Sequence, residues 1–253
     1  VGDRPEEFPD LTHVWLETPG EAAEHVVVYA LLSGPSVSGA FRFRMHRGKG
    51  VDMEIEQELH LRKDVARLGI APLTSMYWYS ETGKATMVDW RPEVHDSDGL
   101  ALWTGSGERA WRPLNNPQRT VASSFVDDNP RGFGLMQRDR AFDHYMDGVY
   151  YERRPSLWIE TLGQWGKGAV QLIEIPTDDE IHDNIVAMWV PEAPAKAGNS
   201  YNFRYRLHWL ADEPFPPKLG RVVATRLGNG GQPGTARPKG VRKFMLEFKG
   251  PAL

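Results

Sequence analysis

Apolar and polar residues alternate with a period of two over much of this chain. Ala40-Phe41-Arg42-Phe43-Arg44-Met45 and Val51-Asp52-Met53-Glu54-Ile55-Glu56 both show it, the mark of a strand with one buried face. Gly48-Lys49-Gly50 between them predicts a hairpin turn. Tyr201 through Trp209 is the clearest case, with its aromatics and Leu207 all on odd positions. Val26–Leu32, Ala169–Ile175 and Asn184–Val190 are short apolar runs stopped by Ser33-Gly34-Pro35, Pro176 and Pro191, and they predict strands as well. Only Gln57–Leu68, with leucines at 59, 61 and 68, suggests a helix, of one or two turns. Many strands with Gly and Pro breaks and few helices predict an all-β fold, a large antiparallel sandwich. Pro214–Gly220 reads as a linker and Gly228–Gly234 as a flexible loop. Roughly thirty residues follow the prolines, too few for an independent domain. The expected division is therefore 1–213 as one β-sandwich domain and 214–253 as a linker with the beginning of a smaller one.

Composition narrows the classes. Of 253 residues 40% are hydrophobic, enough to bury a core. Thirty basic and 34 acidic residues are mixed along the chain, so no basic stripe points to nucleic acid or to an anionic membrane surface. No apolar run approaches the roughly 18 residues that span a bilayer. Val1-Gly2-Asp3-Arg4-Pro5 does not read as a signal peptide. Cysteine is absent, which excludes disulfides, thiolate metal sites and a Cys nucleophile. Nine tryptophans matter because they cluster.

The cluster begins at Asp89-Trp90-Arg91-Pro92-Glu93-Val94-His95-Asp96-Ser97-Asp98-Gly99-Leu100 and runs on through Trp103, Trp111-Arg112-Pro113 and Asn115-Asn116. Uncompensated polar groups are costly to bury, and disordered tails are poor in tryptophan. A polar cleft with aromatic plates remains, the usual chemistry of a carbohydrate site. Indole faces lie on sugar rings while carboxylates, Arg and Asn hold hydroxyls. Pro176–Asn184 joins two predicted strands and holds four carboxylates and one histidine. It reads either as a solvated acidic loop or as a mount for catalytic groups. Arg138 and Arg140 read either as surface ion pairs or as hydroxyl clamps. Trp158 and Trp165 read as core or platform, and Met136 and Met188 as core. Four familiar signatures fail. Gly163–Gly168 lacks the Gly and Ser/Thr of a phosphate loop, Asp96–Gly99 has Leu100 and Gly107 at two calcium-ligand positions, and neither HExxH nor GxSxG occurs.

Five blocks carry a resemblance over nearly the whole chain. They are Arg91–Leu100, Arg112-Pro113-Leu114-Asn115-Asn116-Pro117, Asp128-Asn129-Pro130-Arg131-Gly132-Phe133-Gly134-Leu135, Arg154-Pro155-Ser156-Leu157-Trp158 and Trp165-Gly166-Lys167-Gly168. In order and spacing the chain resembles the osmoregulated periplasmic glucan biosynthesis proteins of the G/D type. The resemblance implies a galactose-mutarotase-like supersandwich followed by an immunoglobulin-like sandwich. It also implies family members that extend past this chain on both sides, and a Gram-negative periplasmic location. The implied function is β-1,2-glucan processing in glucan biosynthesis, as an anomer-inverting endo-β-1,2-glucanase or a related transglycosylase or cyclising enzyme. Glucan is the implied partner, with no nucleic acid, no membrane insertion, no cofactor and no metal; a homodimer is allowed. By the same resemblance Asp183 matches the family's acid and Asp96 its base, with Tyr151 and Glu180 lining the site. Ile181 stands where hydrolytic members carry Thr, which favours transfer to a sugar hydroxyl over hydrolysis.

An inverting pair needs one protonated and one ionised carboxyl, usually about 6.5–9.5 Å apart. Asp183 is expected to be pushed up by burial or by neighbouring carboxylates, and Asp96 to stay ionised with His95 and Arg112 in support. Trp103, Trp111, Trp158 and Trp165 are the expected platforms, with at least one of them core, and Arg112, Asn115 and Arg138 the expected hydroxyl partners. Two competing readings remain: a non-catalytic glucan-binding module of the export machinery, and mutarotation or epimerisation of a monosaccharide.

Overall fold

The computed structural model describes residues 7–20 and 23–253; the opening stretch Val1–Pro5 lies outside them. The chain runs through β1 (Asp10–Leu16), β2 (His25–Ser33), β3 (Val37–Arg47), β4 (Val51–Leu61), β5 (Ile70–Ser75), β6 (Tyr77–Tyr79), β7 (Val94–His95), β8 (Gly99–Trp103) and β9 (Arg109–Pro113). It continues through β10 (Val121–Asp128), β11 (Gly132–Met136), a four-residue helix α1 (Phe142–Tyr145) and β12 (Ser156–Leu162). The last strands are β13 (Lys167–Glu174), β14 (Ile185–Pro191), β15 (Ser200–Leu210), β16 (Arg221–Asn229) and β17 (Arg242–Lys249). Among the described residues no helix is long and apolar enough to cross a membrane.

A nine-stranded antiparallel sheet has the order β1-β2-β3-β4-β15-β12-β11-β8-β9, and a four-stranded one the order β10-β13-β14-β5. The two close on one core. Ile55, Phe203, Tyr205, Ile159, Phe133 and Leu100 come from the large sheet, and Val170, Leu172, Ile185, Trp189 and Ile70 from the small one. This is the expected all-β antiparallel sandwich. The six predicted strands fall in β2, β3, β4, β13, β14 and β15, and the Gly48 N–H closes the predicted turn on the Gly50 carbonyl at 2.9 Å.

The helix expected over Gln57–Leu68 is not formed. Gln57, Leu59 and Leu61 are buried while Glu58 and His60 are exposed, so this stretch extends β4 with strand alternation. Leucines two apart share one face of a strand; the third, Leu68, lies beyond its end.

The outer face of the large sheet is also covered where β8, β11 and β12 meet. Met136, Ala101 and Trp158 are buried there, with Trp103, Trp111 and Phe215 packed against them. Glycine makes this covering possible. A Cβ on Gly134 would lie 2.3 Å from the Leu157 carbonyl, and one on Gly132 would lie 2.7 Å from the Trp158 ring. Phe215 stacks obliquely on Trp103 and edge-on to His208. Beyond it, β16 and β17 form a separate two-stranded sheet. Arg221 binds Asp212 through two 2.7 Å bonds, and Arg138 Nη1 donates to the Val222 carbonyl at 2.8 Å.

Candidate functional site

The acidic loop Pro176–Asn184 bridges β13 and β14 and is fixed at both ends by a carboxamide. At one end, Asn184 Oδ1 accepts the Tyr77 N–H (2.8 Å) while its Nδ2 donates to the carbonyls of Tyr77 (3.0 Å) and Ile175 (2.8 Å). At the other, Asn116 accepts the Thr177 N–H (3.0 Å) and donates to the carbonyls of Thr177 (2.7 Å) and Trp78 (3.1 Å). Buried backbone groups need such partners, so the clamps set where the loop leaves the sheet. Asp183, exposed, is the residue before the Asn184 clamp. Asp96 is registered to the same backbone, because its N–H donates to the Met76 carbonyl at 2.9 Å.

Around these aspartates the structure gathers a network of charged groups. Arg154 Nε lies 3.1 Å from Asp96 Oδ1 and its guanidinium lies over the Tyr151 ring. Burial pushes the Asp96 carboxyl up, Arg154 draws it back down, and the charge of Asp183 adds to the rise. The Tyr151 hydroxyl donates to Glu180 Oε2 at 2.9 Å, and burial, with Glu180 beside it, raises the phenol. A 3-10 turn, Tyr151–Arg153, presents that ring, entered through Tyr150 at φ +62°. Arg91 is bidentate to Glu180 at 2.7 and 3.1 Å and also donates twice to Asp89, at 3.0 Å each. Hydrogen bonding to Arg91 holds the Asp89 carboxyl down at about 2. Trp90 and Ile181 are exposed close in sequence to this network, at 70% and 76%.

His95 lies behind Asp96 and is buried. Its Nε2 is 2.9 Å from Glu93 Oε2 and its Nδ1 is 3.5 Å from Asp98 Oδ1, with Tyr77 stacked on the ring. Asp98 accepts the backbone N–H groups of Arg138 and Asp139, yet burial still pushes it up to about 6. Glu93 and Asp98 face a cleft of about 580 Å³ whose walls also include Glu81, Trp111, Arg112 and Asn115. Its opposite wall is the hairpin, through Val223, Thr225 and Phe244.

The expected site residues therefore divide. Asp96, Asp183, Glu180 and Tyr151 come together. Trp111, Arg112 and Asn115 lie on the cleft; among the described residues Asn115 uses its N–H alone, on Glu174 Oε1 (2.7 Å), and leaves its side chain for a ligand.

Several expectations are corrected. Arg112 does not support Asp96; its Nη2 is held by buried Glu174 at 2.8 Å. His95 does support Asp96, but at a distance: it is a buried partner of Glu93 and Asp98, and its charge helps draw the Asp96 carboxyl down. Arg138 is no hydroxyl clamp. It is buried, stacked 3.6 Å over the Trp111 ring and tied to Val222 and Glu213, and burial lowers it to about 10. Trp111 is correspondingly covered on that face, and a Cβ on Gly99 would lie 2.4 Å from its ring, so it reaches the cleft without an open face. Trp165 is core: it packs edge-on to Phe203 and Tyr205, and its Nε1 donates to the Arg204 carbonyl (3.1 Å). Trp158, 1% exposed, is core too. Trp103 stands at the far end of β8, about 16 Å along the strand from Asp98, with Arg109 stacked 3.7 Å from its ring.

Sequence reasoning assigned no role to Arg91, Arg154, Asn116 or Asn184. All four sit in segments singled out above; what was missing was the long-range pairing. Trp90, in the opening block, was likewise passed over as a platform.

A family profile described as "Periplasmic glucan biosynthesis protein, MdoG" matches residues 1–253. Glucans biosynthesis protein D 2 of Ralstonia nicotianae is 71% identical over 251 residues, covering 99% of this chain and 47% of the relative. Glucans biosynthesis protein D of Stenotrophomonas maltophilia is 52% identical over 251 residues, with the same 99% and 47% coverage. The chain thus spans about half the length of the curated relatives it matches. Among solved structures, the Slr1438 protein of Synechocystis sp. PCC 6803 overlaps 82% of this chain and 66% of its own at 7% identity. The TM-score of that overlap is 0.26. The match along the whole chain and the high identity to two glucans biosynthesis proteins show that the chain belongs to the MdoG family of periplasmic glucan biosynthesis proteins.

Proposed function

We propose that this chain is the glucan-acting part of a periplasmic enzyme that processes β-1,2-glucan with an inverting pair, Asp183 as acid and Asp96 as base. Residues 1–213 form its glucan-acting domain, and 214–253 the linker and the beginning of a smaller domain. The observation that supports the pair is Asp96 itself: a half-buried carboxylate, raised by burial, ion-paired to Arg154 and sensitive to the charge of Asp183. A raised carboxylate is a stronger base, and Arg154 keeps it ionised to receive a proton. Asp183 is exposed, so the burial expected of the acid is absent in the free protein, and a glucan strand laid over it would supply the covering that excludes water. Asp96 takes the proton of the attacking hydroxyl on one face of the sugar while Asp183 gives one to the departing oxygen on the other. The Arg91–Glu180–Tyr151 network frames the ring between them, and exposed Trp90 serves as the stacking surface that the buried tryptophans do not provide. Ile181, an alkyl group at the loop tip, gives water no hydroxyl to dock on, which favours a second sugar as the nucleophile.

The test is incubation of the full-length protein with linear β-1,2-glucan. Products without new reducing ends mean transfer or cyclisation, and new reducing ends mean hydrolysis. Unchanged substrate with measurable binding means a carrier and ends the enzymatic reading. D183N and D96N are each expected to lower turnover at least about 100-fold with circular dichroism unchanged. Activity retained in either variant removes that residue from its role.

A further inference from the structure

Away from Asp96 and Asp183, three side chains with metal-binding atoms converge from two separate segments, two of them, Glu93 and Asp139, on the lining of the 580 Å³ cleft. Glu93 immediately precedes β7, and Asp139 and His144 flank the entry to and the body of α1. One ligand atom from each lies within 4.8 Å of the other two. The Glu93 side chain is only 5% exposed. Its Oε2 faces His95 Nε2 at 2.9 Å, whereas among the described residues no N–H or hydroxyl donates to its Oε1. The neighbouring group is another carboxyl, Glu81, on the same cleft wall; burial and the charge of Glu93 push it up to about 7, so that it shares its proton with Glu93, the place a bound cation would take. Asp139 Oδ2 is 2.5 Å from His144 Nδ1, a contact that fixes the imidazole's orientation, and Asp139 Oδ1 accepts the Ala141 N–H at 3.1 Å. Four carboxylates, Glu81, Glu93, Asp98 and Asp139, thus share this wall. The positive groups near them are the imidazoles of His95 and His144, Arg112, already committed to Glu174, Arg138 and Arg140 toward Asp98, Arg242 on the cleft lining, and Arg226, which feels Glu81 and Asp139.

Two carboxylates and one imidazole form a mixed oxygen and nitrogen donor set, which suits first-row divalent ions, and three protein ligands leave a coordination position open to the cleft. His95 on Glu93 supplies the outer hydrogen bond that orients a ligating carboxylate. The local backbone gives such an ion structural work to do. Helix α1 has only four residues and no side-chain cap, and Met146 and Tyr150 after it sit at φ +54° and +62°, a costly region for non-glycine residues. We propose that Glu93, Asp139 and His144 bind one divalent transition-metal ion, Zn2+ or Mn2+, which fastens the α1 segment to the Glu93–His95 segment. No step of the carboxylate chemistry above passes through it, so the two readings stand or fall separately.

The experiment is isothermal titration of EDTA-stripped, full-length protein with ZnCl2 and with MnCl2, paired with thermal unfolding. The expected result is one saturable equivalent of at least one ion and a higher unfolding midpoint when it is bound. H144A, at a half-exposed position, and D139N should each weaken binding at least tenfold and lose the midpoint shift, with circular dichroism unchanged. H60A, at an exposed position of β4, should bind like the parent protein. Absence of saturable binding for both ions, a loss smaller than tenfold in both H144A and D139N, or an equal loss in H60A overturns the site.

Discussion

The carboxamide of Asn184 holds both backbone groups of Tyr77, accepting from the N–H at 2.8 Å and donating to the carbonyl at 3.0 Å. A side chain thus completes a pairing that a neighbouring strand would otherwise make. Because Met76, one residue earlier, accepts the Asp96 N–H, this contact sets the acidic loop and the Asp96 segment in a common frame.

Asn184→Ala is expected to destabilise the protein by roughly 2–4 kcal/mol, since it leaves the buried Tyr77 groups without partners. Activity on glucan should fall more than the loss of folded protein explains, because the loop bearing Asp183 loses its anchor. Urea unfolding together with turnover per folded molecule checks both; wild-type stability in the variant would refute the clamp.

Arg91→Lys keeps the charge and removes the fork that joins Asp89 to Glu180. A lysine ammonium cannot be bidentate to one carboxylate while bridging a second in the same plane. Turnover should drop about tenfold, with a stability loss of about 1–2 kcal/mol, and Arg91→Ala should lose more of both. Steady-state kinetics and thermal unfolding of the two variants supply the comparison, and equal activity in Arg91→Lys contradicts it.

Asp98 makes a pH prediction. Burial raises its carboxyl to about 6, so the folded protein holds this proton more tightly than the unfolded chain. The stabilising contribution is complete below pH ~4 and is lost as pH rises from ~4 to ~6, amounting to at most about 3 kcal/mol. Asp98→Asn should flatten this part of the profile. Urea unfolding in EDTA at several pH values over that window measures it, and an unchanged slope in the variant would show that Asp98 is not its source.

Gly134→Ala tests the packing under the tryptophans. Its Cβ would lie 2.3 Å from the Leu157 carbonyl and 3.0 Å from Trp158 Cα, both backbone atoms of the paired strand. Backbone cannot swing aside as a side-chain tip can, so a loss of about 1–3 kcal/mol or more is expected. A thermal midpoint equal to that of the parent protein would mean the strands separate freely there.

The strands were legible wherever one face of a segment is covered and the other is wet. Tyr201–Trp209 shows where that ends. Alternation holds through Phe203 and Tyr205, then reverses, with His208 buried and Trp209 exposed. Here the outer face is covered by Phe215, and His208 is gripped by Asp52 at 2.6 Å and Glu160 at 2.9 Å. Asp52 and Glu160 are far from it in sequence. Leu59 and Leu61 misled for a simpler reason, since a leucine-rich polar stretch fits a helix until the two-residue spacing is given its weight.

The site was legible in its composition and only partly in its assignments. Clusters of Trp, Arg and carboxylate do mark the polar face of the molecule. Which indole is a plate and which is core depends on cross-strand glycines such as Gly99 and Gly132, whose partners are set by register. Adjacent Asn115 and Asn116 illustrate the same limit: among the described residues one side chain is free at the cleft and the other is fully used as a clamp. The grouping of Asp96 with Tyr151 and Glu180 rested on family resemblance alone, because no local pattern joins residues so distant along the chain.

The cleft's two walls belong to different sheets: the loops and strands bearing Glu93, Asp98 and Arg112 on one side, and β16 and β17 on the other. The second wall reaches the sandwich through a short proline-rich stretch and a few arginine contacts. Such a cavity works like a vise with one fixed jaw. Its gape can be retuned by small changes in the seating of the hairpin while the Asn-clamped loop stays in place. Under the proposed function, a changed seating of the hairpin would alter the width of chain the cleft admits while Asp96 and Asp183, which are not on its lining, stay as they are.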